Sequence, residues 1–302
     1  MRKPTIGAVP RNGAVIRLSP AHGRWQMKTL VLLALLRPVA GAADGAQVEQ
    51  RIRAEIAAGK PVVAHVVVAL CDNLHQGIVP VPKAIGNGQD PRLNLYWGAG
   101  YGVRSYFSRQ AGYSLRQLTF SGRVLDRIVL TKDLQDSGRP FKLVVIAEAW
   151  DGSAIAGAID RFLRLAAGYD PETIAAPVAA GGSVVAAGGD AAIVAFVGHN
   201  GLMDFSVASY PRARPGAPPR SSIVLACASK PYFTELLRTG GSHPLLLTTG
   251  LMAPEAYSLE EALRTFAAGG SPQDVRRAAA AIYDRVQHCG LSGALRLFAS
   301  EP

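Results

Sequence analysis

The segment PVVAHVVVAL, residues 61–70, decides how the fold is interpreted. Its residues are β-branched or apolar almost without interruption, and polar and apolar positions do not alternate. This pattern is typical of a strand in a parallel sheet that helices cover on both faces. We therefore interpret His65, inside the run, as a packed core residue rather than as a ligand.

Further apolar runs follow along the chain and alternate with helical patterns. No internal repeat and no long linker separates a second domain, so we predict one domain from 44 to 302. Continuous apolar strands alternating with amphipathic helices predict an α/β fold, a three-layer sandwich with a mostly parallel central sheet. Strands are predicted at 126–132, 141–150, 191–198, 221–228 and 244–250, and helices at 45–58, 94–109 and 151–168.

Two more helices are predicted at the C-terminal end. One is expected to be capped by Ser258, with Glu261 three residues later, and the other opens with Ser271 and Pro272. The glycine-rich segment 175–190 has the composition of a flexible loop, but it lies inside the order of predicted strands.

The positive charge is concentrated at the N-terminus. The first 42 residues hold seven basic and no acidic residues, although the whole chain has a formal charge of +10. The remainder has 25 basic against 22 acidic residues, which is close to balance. A nucleic-acid interface needs clustered Lys and Arg, so nucleic acid is not expected as a partner.

Residues 27–44, MKTLVLLALLRPVAGAAD, have the layout of a secretory signal. A basic start is followed by an apolar core that is too short to span a bilayer, and then by small residues. We interpret 1–43 as a signal region with Met27 as the true start and cleavage near Ala42 or Ala43. The alternative is an ordinary buried helix. The mature chain is expected to be soluble, free of the membrane, and periplasmic or secreted.

The chain has three cysteines, Cys71, Cys227 and Cys289. In an oxidising compartment an odd number leaves at least one thiol unpaired within the chain. Cys71 and Cys289 can pair, or all three can be buried free thiols, and both interpretations stay open. The sequence has no CxxC and no HExxH motif, so neither a metal site nor a cofactor is expected.

Two predicted strands end in residues suited to nucleophilic chemistry. IVAFVGHNGLMDF (193–205) leads to His199, and SSIVLACASKPYF (221–233) leads to Cys227. In open parallel sheets, reactive groups gather at the carboxyl ends of the strands. A thiolate attacks a carbonyl, and an imidazole can remove the thiol proton and later protonate the leaving group. The helix predicted after Cys227 would place its positive end near the thiol.

These two blocks resemble the caspase-like cysteine peptidases, a group that includes caspases, metacaspases, legumains, gingipains and separases. The earlier segment HVVVALCDN is similar to the first strand of that fold, and the resemblance covers residues 60–250. The resemblance implies a caspase-like fold and a His199–Cys227 dyad, with backbone N–H groups near Gly201 and Cys227 binding the oxyanion. One difference is Asn200, which follows the histidine where the family has glycine.

The resemblance also implies a specificity pocket at the tips of the first strand and of the strands near the dyad. Asp72 ends the first predicted strand, and Asp204 follows the His199 loop. An acidic pocket would select a basic side chain before the cleaved bond. The more ordinary interpretation of Asp72 is a turn or cap residue.

The expected function is that of an exported cysteine-dependent hydrolase, a peptidase acting on a peptide or protein substrate. The first alternative is a non-catalytic exported α/β binding protein that keeps a caspase-like fold. Asn200 favours this alternative, and so does an oxidising compartment, because a free thiol must be protected there. The second alternative is another hydrolase or a metal-binding protein that uses His199, Cys227 and Asp72. The sequence makes no prediction of the oligomeric state.

Overall fold

The computed structural model describes residues 44–136, 138–176, 183–207 and 209–301. The predicted signal region, 1–43, lies outside the described residues. The strands are β1 (Val62–Ala69), β2 (Ser114–Gln117), β3 (Val124–Asp136), β4 (Arg139–Trp150), β5 (Pro171–Ala176), β6 (Ser183–Gly188), β7 (Ile193–Val197), β8 (Ser221–Leu225), β9 (His243–Thr248) and β10 (Phe298–Ala299). The helices are α1 (Gly45–Ala57), α2 (Val103–Ser105), α3 (Ile155–Ala166), α4 (Ser229–Thr239), α5 (Ala256–Ala267), α6 (Pro272–Gln287) and α7 (Leu291–Leu297).

Eight of the described strands form one sheet in the order β10-β9-β8-β7-β1-β4-β3-β2. The five strands from β9 to β4 in this order run parallel, while β10, β3 and β2 are antiparallel to their neighbours. Every residue of β1 is buried, as expected for a strand with neighbours on both sides and helices above and below. The α/β fold with a mostly parallel sheet is therefore confirmed.

Helices cover both faces of the sheet. Because successive strand residues point to opposite faces, β1 contributes to two cores. Val66 and Val68 pack with α1, α5 and α6 on one face. Val67 packs with α3 and α4 on the other face, together with Phe196 of β7 and Phe233 of α4. None of the described helices has both the length and the apolar character needed to cross a membrane.

Two local predictions are wrong. The helix predicted over 94–109 is reduced to α2 and a π-helical turn at Tyr106–Gln110. Residues 95–102 form turns and bends instead, and the Asn94 amide before them accepts from the Cys71 N–H at 3.0 Å and donates to the Cys71 carbonyl at 2.8 Å. Ser258 does not cap a helix, because α5 begins at Ala256 and buries Ser258.

The described residues of the glycine-rich segment 175–190, which has the composition of a flexible loop, lie outside the main sheet. Its described residues belong to β5 and β6, which pair as a separate antiparallel hairpin. By contrast, the predicted start of α6 is correct. Ser271 and Asp274 form a reciprocal capping box, and Pro272 is the first helical residue.

Candidate active site

His199 lies two residues beyond the end of β7. Gly198, between them, donates its N–H to the Leu225 carbonyl at 3.2 Å. A Cβ at position 198 would lie 2.9 Å from the carbonyl oxygen of Ala69, so this position requires glycine. Gly198 therefore lies against the C-terminal ends of both β1 and β8. The His199 side chain that follows is mostly buried, with 8 % of it exposed.

A carboxylate orients the imidazole. His199 Nε2 lies 2.6 Å from Asp204 Oδ2, and a 3₁₀ turn at Gly201–Met203 brings the two side chains together. The Asp204 N–H donates to the Gly201 carbonyl at 2.9 Å, which closes that turn. The carboxylate therefore accepts the Nε2–H, and Nδ1 is left without a hydrogen-bond partner among the described residues. A neutral imidazole held in this tautomer can accept a proton at Nδ1.

Cys227 stands on a sharp turn between β8 and α4. Ala228, the next residue, has a left-handed conformation with φ 45° and ψ 42°, and α4 begins at Ser229. This conformation costs a non-glycine residue about 1–2 kcal/mol. Two hydrogen bonds stabilise this left-handed conformation. Ala228 donates its N–H to the Gly250 carbonyl at 2.8 Å, and Ser229 Oγ donates to the Val224 carbonyl at 2.9 Å. The turn projects Cys227 from the sheet edge, much as a nucleophile elbow projects its serine.

The histidine and the cysteine lie at the same edge of the sheet because their strands are neighbours in register. Val197 pairs with Leu225, and each reactive residue lies two positions beyond its member of this pair. Both side chains line one cavity of about 360 Å³. Asn200 joins the two loops, since its Nδ2 donates to the Cys227 carbonyl at 2.8 Å. The structure thus brings together the two residues expected to form the dyad.

The backbone N–H groups at the site differ from the expectation. The Gly201 N–H donates to the His199 carbonyl at 3.1 Å, so it is already engaged. Within the described part of the chain, the N–H groups of Asn200 and Cys227 have no acceptor. Among the described residues, Asn200 therefore has a free backbone donor, whereas Gly201 was expected to have one.

The two acidic side chains expected in a specificity pocket do not line this cavity. Asp72 is a turn residue, and it accepts hydrogen bonds from the Leu74 N–H at 2.9 Å and from His75 and Gln89 at 2.8 Å each. Although burial opposes its ionisation, these hydrogen bonds hold the pKa of Asp72 below its usual range. Asp204 is the partner of His199, a role that the sequence did not indicate.

The other two cysteines do not line the cavity, and all three are free thiols. Cys71 is fully buried, and burial raises the pKa of its thiol to about 11. Cys289 is exposed on the segment between α6 and α7. The possible pairing of Cys71 with Cys289 is therefore absent from the structure.

A second cluster of metal-ligating residue types, His65, Glu148 and Glu172, does not line the cavity. His65 is buried, as expected; its Nδ1 accepts the Gly188 N–H at 3.1 Å, and its Nε2 lies 2.7 Å from Glu148. Arg161 donates to both glutamates. A cation would have to displace that guanidinium, so we interpret the cluster as an ion-pair network.

Sequence reasoning missed the loops that complete the site. Residues 77–81, after β1, and 251–254, after β9, both line the cavity. Met252 contacts Cys227 directly: its N–H lies 3.4 Å and its carbonyl oxygen 3.6 Å from Cys227 Sγ. Both loops follow parallel strands at their carboxyl ends, and this position was the available signal.

Comparison of the chain with protein-family models, with curated proteins and with solved structures finds no significant match, so the functional assignment depends on the geometry of the site.

Proposed function

We propose that the protein is an exported cysteine-dependent hydrolase, a peptidase with a caspase-like fold, in which Cys227 is the nucleophile and His199 is the general base and acid. The observation that carries the proposal is that these two side chains, from neighbouring parallel strands, line the same cavity. The orientation of the imidazole by Asp204 supports it further.

The residues support a complete acyl-transfer sequence. Cys227 Sγ attacks the substrate carbonyl carbon, the carbonyl electrons move to oxygen, and His199 Nδ1 takes the thiol proton. When the intermediate collapses, the carbon–nitrogen bond breaks and His199 gives its proton to the leaving amine. Water then attacks the thioester and loses a proton to His199. The sulfur–carbon bond breaks, the acid product leaves, and the thiol regains its proton.

The negative oxygen of the tetrahedral intermediate needs donors that are not otherwise engaged. The N–H groups of Asn200 and Cys227 meet this requirement within the described residues, and the Gly201 N–H does not. The side-chain contact of Asn200 with the Cys227 carbonyl holds the two backbone segments together. We therefore assign these two N–H groups to the oxyanion.

The proposal is tested by alkylation of Cys227 in a Cys289→Ser background. This background removes the exposed thiol, and Cys71 is buried, so iodoacetamide should modify Cys227. Replacing His199 by Ala should slow the modification by about tenfold or more, since the base is lost. The matched control is His288→Asn, which changes an exposed histidine whose left-handed conformation asparagine tolerates.

Turnover provides the second measurement. The parent protein should cleave members of a peptide library, and Cys227→Ala should abolish the cleavage. Cleavage that survives in Cys227→Ala would overturn the mechanism. An alkylation rate that is the same in the parent and in His199→Ala would instead favour the non-catalytic binding protein.

A further inference from the structure

The cavity beside Cys227 has an apolar wall. Its side chains come from four parts of the chain that meet only in the folded protein: the loop after β1, the segment before α2, the loop after β7 and the loop after β9. Among the residues that the structure describes, no lysine, arginine, aspartate or glutamate lines it. Its volume, about 360 Å³, lies within the range of small-ligand pockets, which is roughly 300–1,000 Å³. The principal apolar side chains are Ile78, Val79, Val81, Leu95, Leu251 and Met252.

The rim of the cavity exposes apolar side chains that a soluble protein ordinarily covers. Val79 is 85 % exposed, Leu251 is 77 % exposed and Met203 is 45 % exposed. These residues belong to three different loops, yet all of them line the same cavity. Apolar side chains gathered at the mouth of a pocket mark a ligand-binding surface.

Two carboxylates near the cavity are already paired. Asp204 is bonded to His199, and Glu255 accepts hydrogen bonds of 3.0 Å from Tyr257 and from Gln287. Neither carboxylate lines the cavity. A charged substrate side chain would lose its hydration there without gaining a partner, which disfavours its binding.

We propose that this cavity binds an apolar side chain of the substrate, on the residue that carries the carbonyl attacked by Cys227. Because Cys227 itself lines the cavity, a side chain seated there lies only a few bonds from that carbonyl. The substrate class is therefore peptides with leucine, methionine or phenylalanine before the cleaved bond. This inference rests on the proposed function. It replaces the preference for a basic side chain before the cleaved bond that an acidic pocket would have produced.

The test uses a series of peptidyl chloromethyl ketones that differ only in the residue next to the reactive group: Leu, Phe, Arg or Asp. The rate of Cys227 modification in the Cys289→Ser protein is measured by intact mass and peptide mapping. The Leu and Phe probes should react about tenfold faster or more than the Arg and Asp probes. Equal rates, or a faster Arg or Asp probe, would overturn the inference.

A substitution at the rim of the cavity provides a second test. Leu251→Asp places a carboxylate at the mouth of the cavity, and the high exposure of Leu251 makes the substitution compatible with folding. It should slow the Leu probe and accelerate the Arg probe, while Leu291→Asp, at an exposed leucine that does not line the cavity, should leave both rates unchanged. Leu and Arg probe rates that are the same in Leu251→Asp as in the parent would contradict the inference.

The two proposals fail separately. Iodoacetamide modification that depends on His199, together with probes that show no apolar preference, overturns only the substrate class. Modification that does not depend on His199 overturns the proposed function and the substrate class with it.

Discussion

At the scale of a single residue, Asp204 has the clearest consequence for the site. Asp204→Asn should slow iodoacetamide modification of Cys227 by about tenfold, because the amide no longer secures the tautomer of His199 that leaves Nδ1 free. The measurement is the alkylation rate in the Cys289→Ser background beside the thermal unfolding midpoint. The side chain of Asp204 is 44 % exposed, so the midpoint should change little.

The control for Asp204 is Asp72→Asn, another loop aspartate. Its carboxylate is buried and accepts three hydrogen bonds, so this variant should lower the unfolding midpoint and leave Cys227 reactivity nearly unchanged. If Asp204→Asn reacted at the parent rate, Asp204 would not position the histidine. From the sequence, Asp204 was predicted to line a pocket, because no local pattern shows that a 3₁₀ turn brings it to His199.

At the scale of elements, the ion-pair network joins the β5–β6 hairpin to the main sheet. His65 is on β1, Glu148 is on β4, and Arg161 of α3 donates to Glu148 at 2.8 Å and also contacts Glu172 of β5. The sequence indicated that His65 is buried, but it did not indicate these partners. They are 83 or more residues away along the chain, and their proximity depends on strand order.

This network predicts a specific acid sensitivity. Burial opposes ionisation of Glu148, but His65 and Arg161 hold its pKa well below the usual range. A carboxyl whose pKa is lower in the folded than in the unfolded protein stabilises the fold. This stabilisation is fully present above the pKa in the unfolded chain, about 4.3, and is lost as the pH falls towards the pKa in the folded protein. Glu148→Gln should lower the free energy of unfolding at pH 7 by about 3 kcal/mol and flatten its decline below pH 5.

Urea unfolding between pH 3 and 7 checks this prediction. The matched control is Asp133→Asn, which removes an exposed carboxylate paired with Lys142 and should have little effect at any pH. A Glu148→Gln protein whose stability falls with acid as steeply as that of the parent would show that the network does not govern acid stability.

At the scale of the whole molecule, His243 links the first helix to a strand near the far edge of the sheet. His243 begins β9 and is buried, and a Cβ at Gly45, the first residue of α1, would lie 3.0 Å from its Nε2. This nitrogen has no hydrogen-bond partner in the described part of the chain. Burial lowers the pKa of His243, although Glu301 and Asp44 favour its proton.

The sign of the resulting pH dependence follows from linkage. The unfolded chain binds a proton at His243 more readily than the folded chain does. The free energy of unfolding therefore has its full value above about pH 6.5 and declines as the pH falls below that value. His243→Gln should reduce the decline in urea midpoint between pH 7 and pH 5. The control is His75→Gln, a half-exposed histidine, which should retain the parent decline. Equal declines in the parent and His243→Gln would exclude His243 as the origin.

The sequence by itself determined the central strands, the fold class and the candidate pair His199 and Cys227. Continuous apolar runs and the residues that end them are local features, and they can be identified without knowing which strands pair. The tertiary structure alone decided that β7 and β8 are neighbours, that Asp204 rather than open solvent meets His199, and that the Gly201 N–H is engaged.

The character of the cavity was likewise decided by tertiary structure. Its wall combines residues 77–81 with residues 251–254, and neither segment shows a pattern that indicates a binding pocket. The physical reason is that parallel strands bring their carboxyl-end loops to one edge of the sheet, whatever the distance between those loops along the chain. The chemistry at that edge depends on which loops meet there, and strand order decides this.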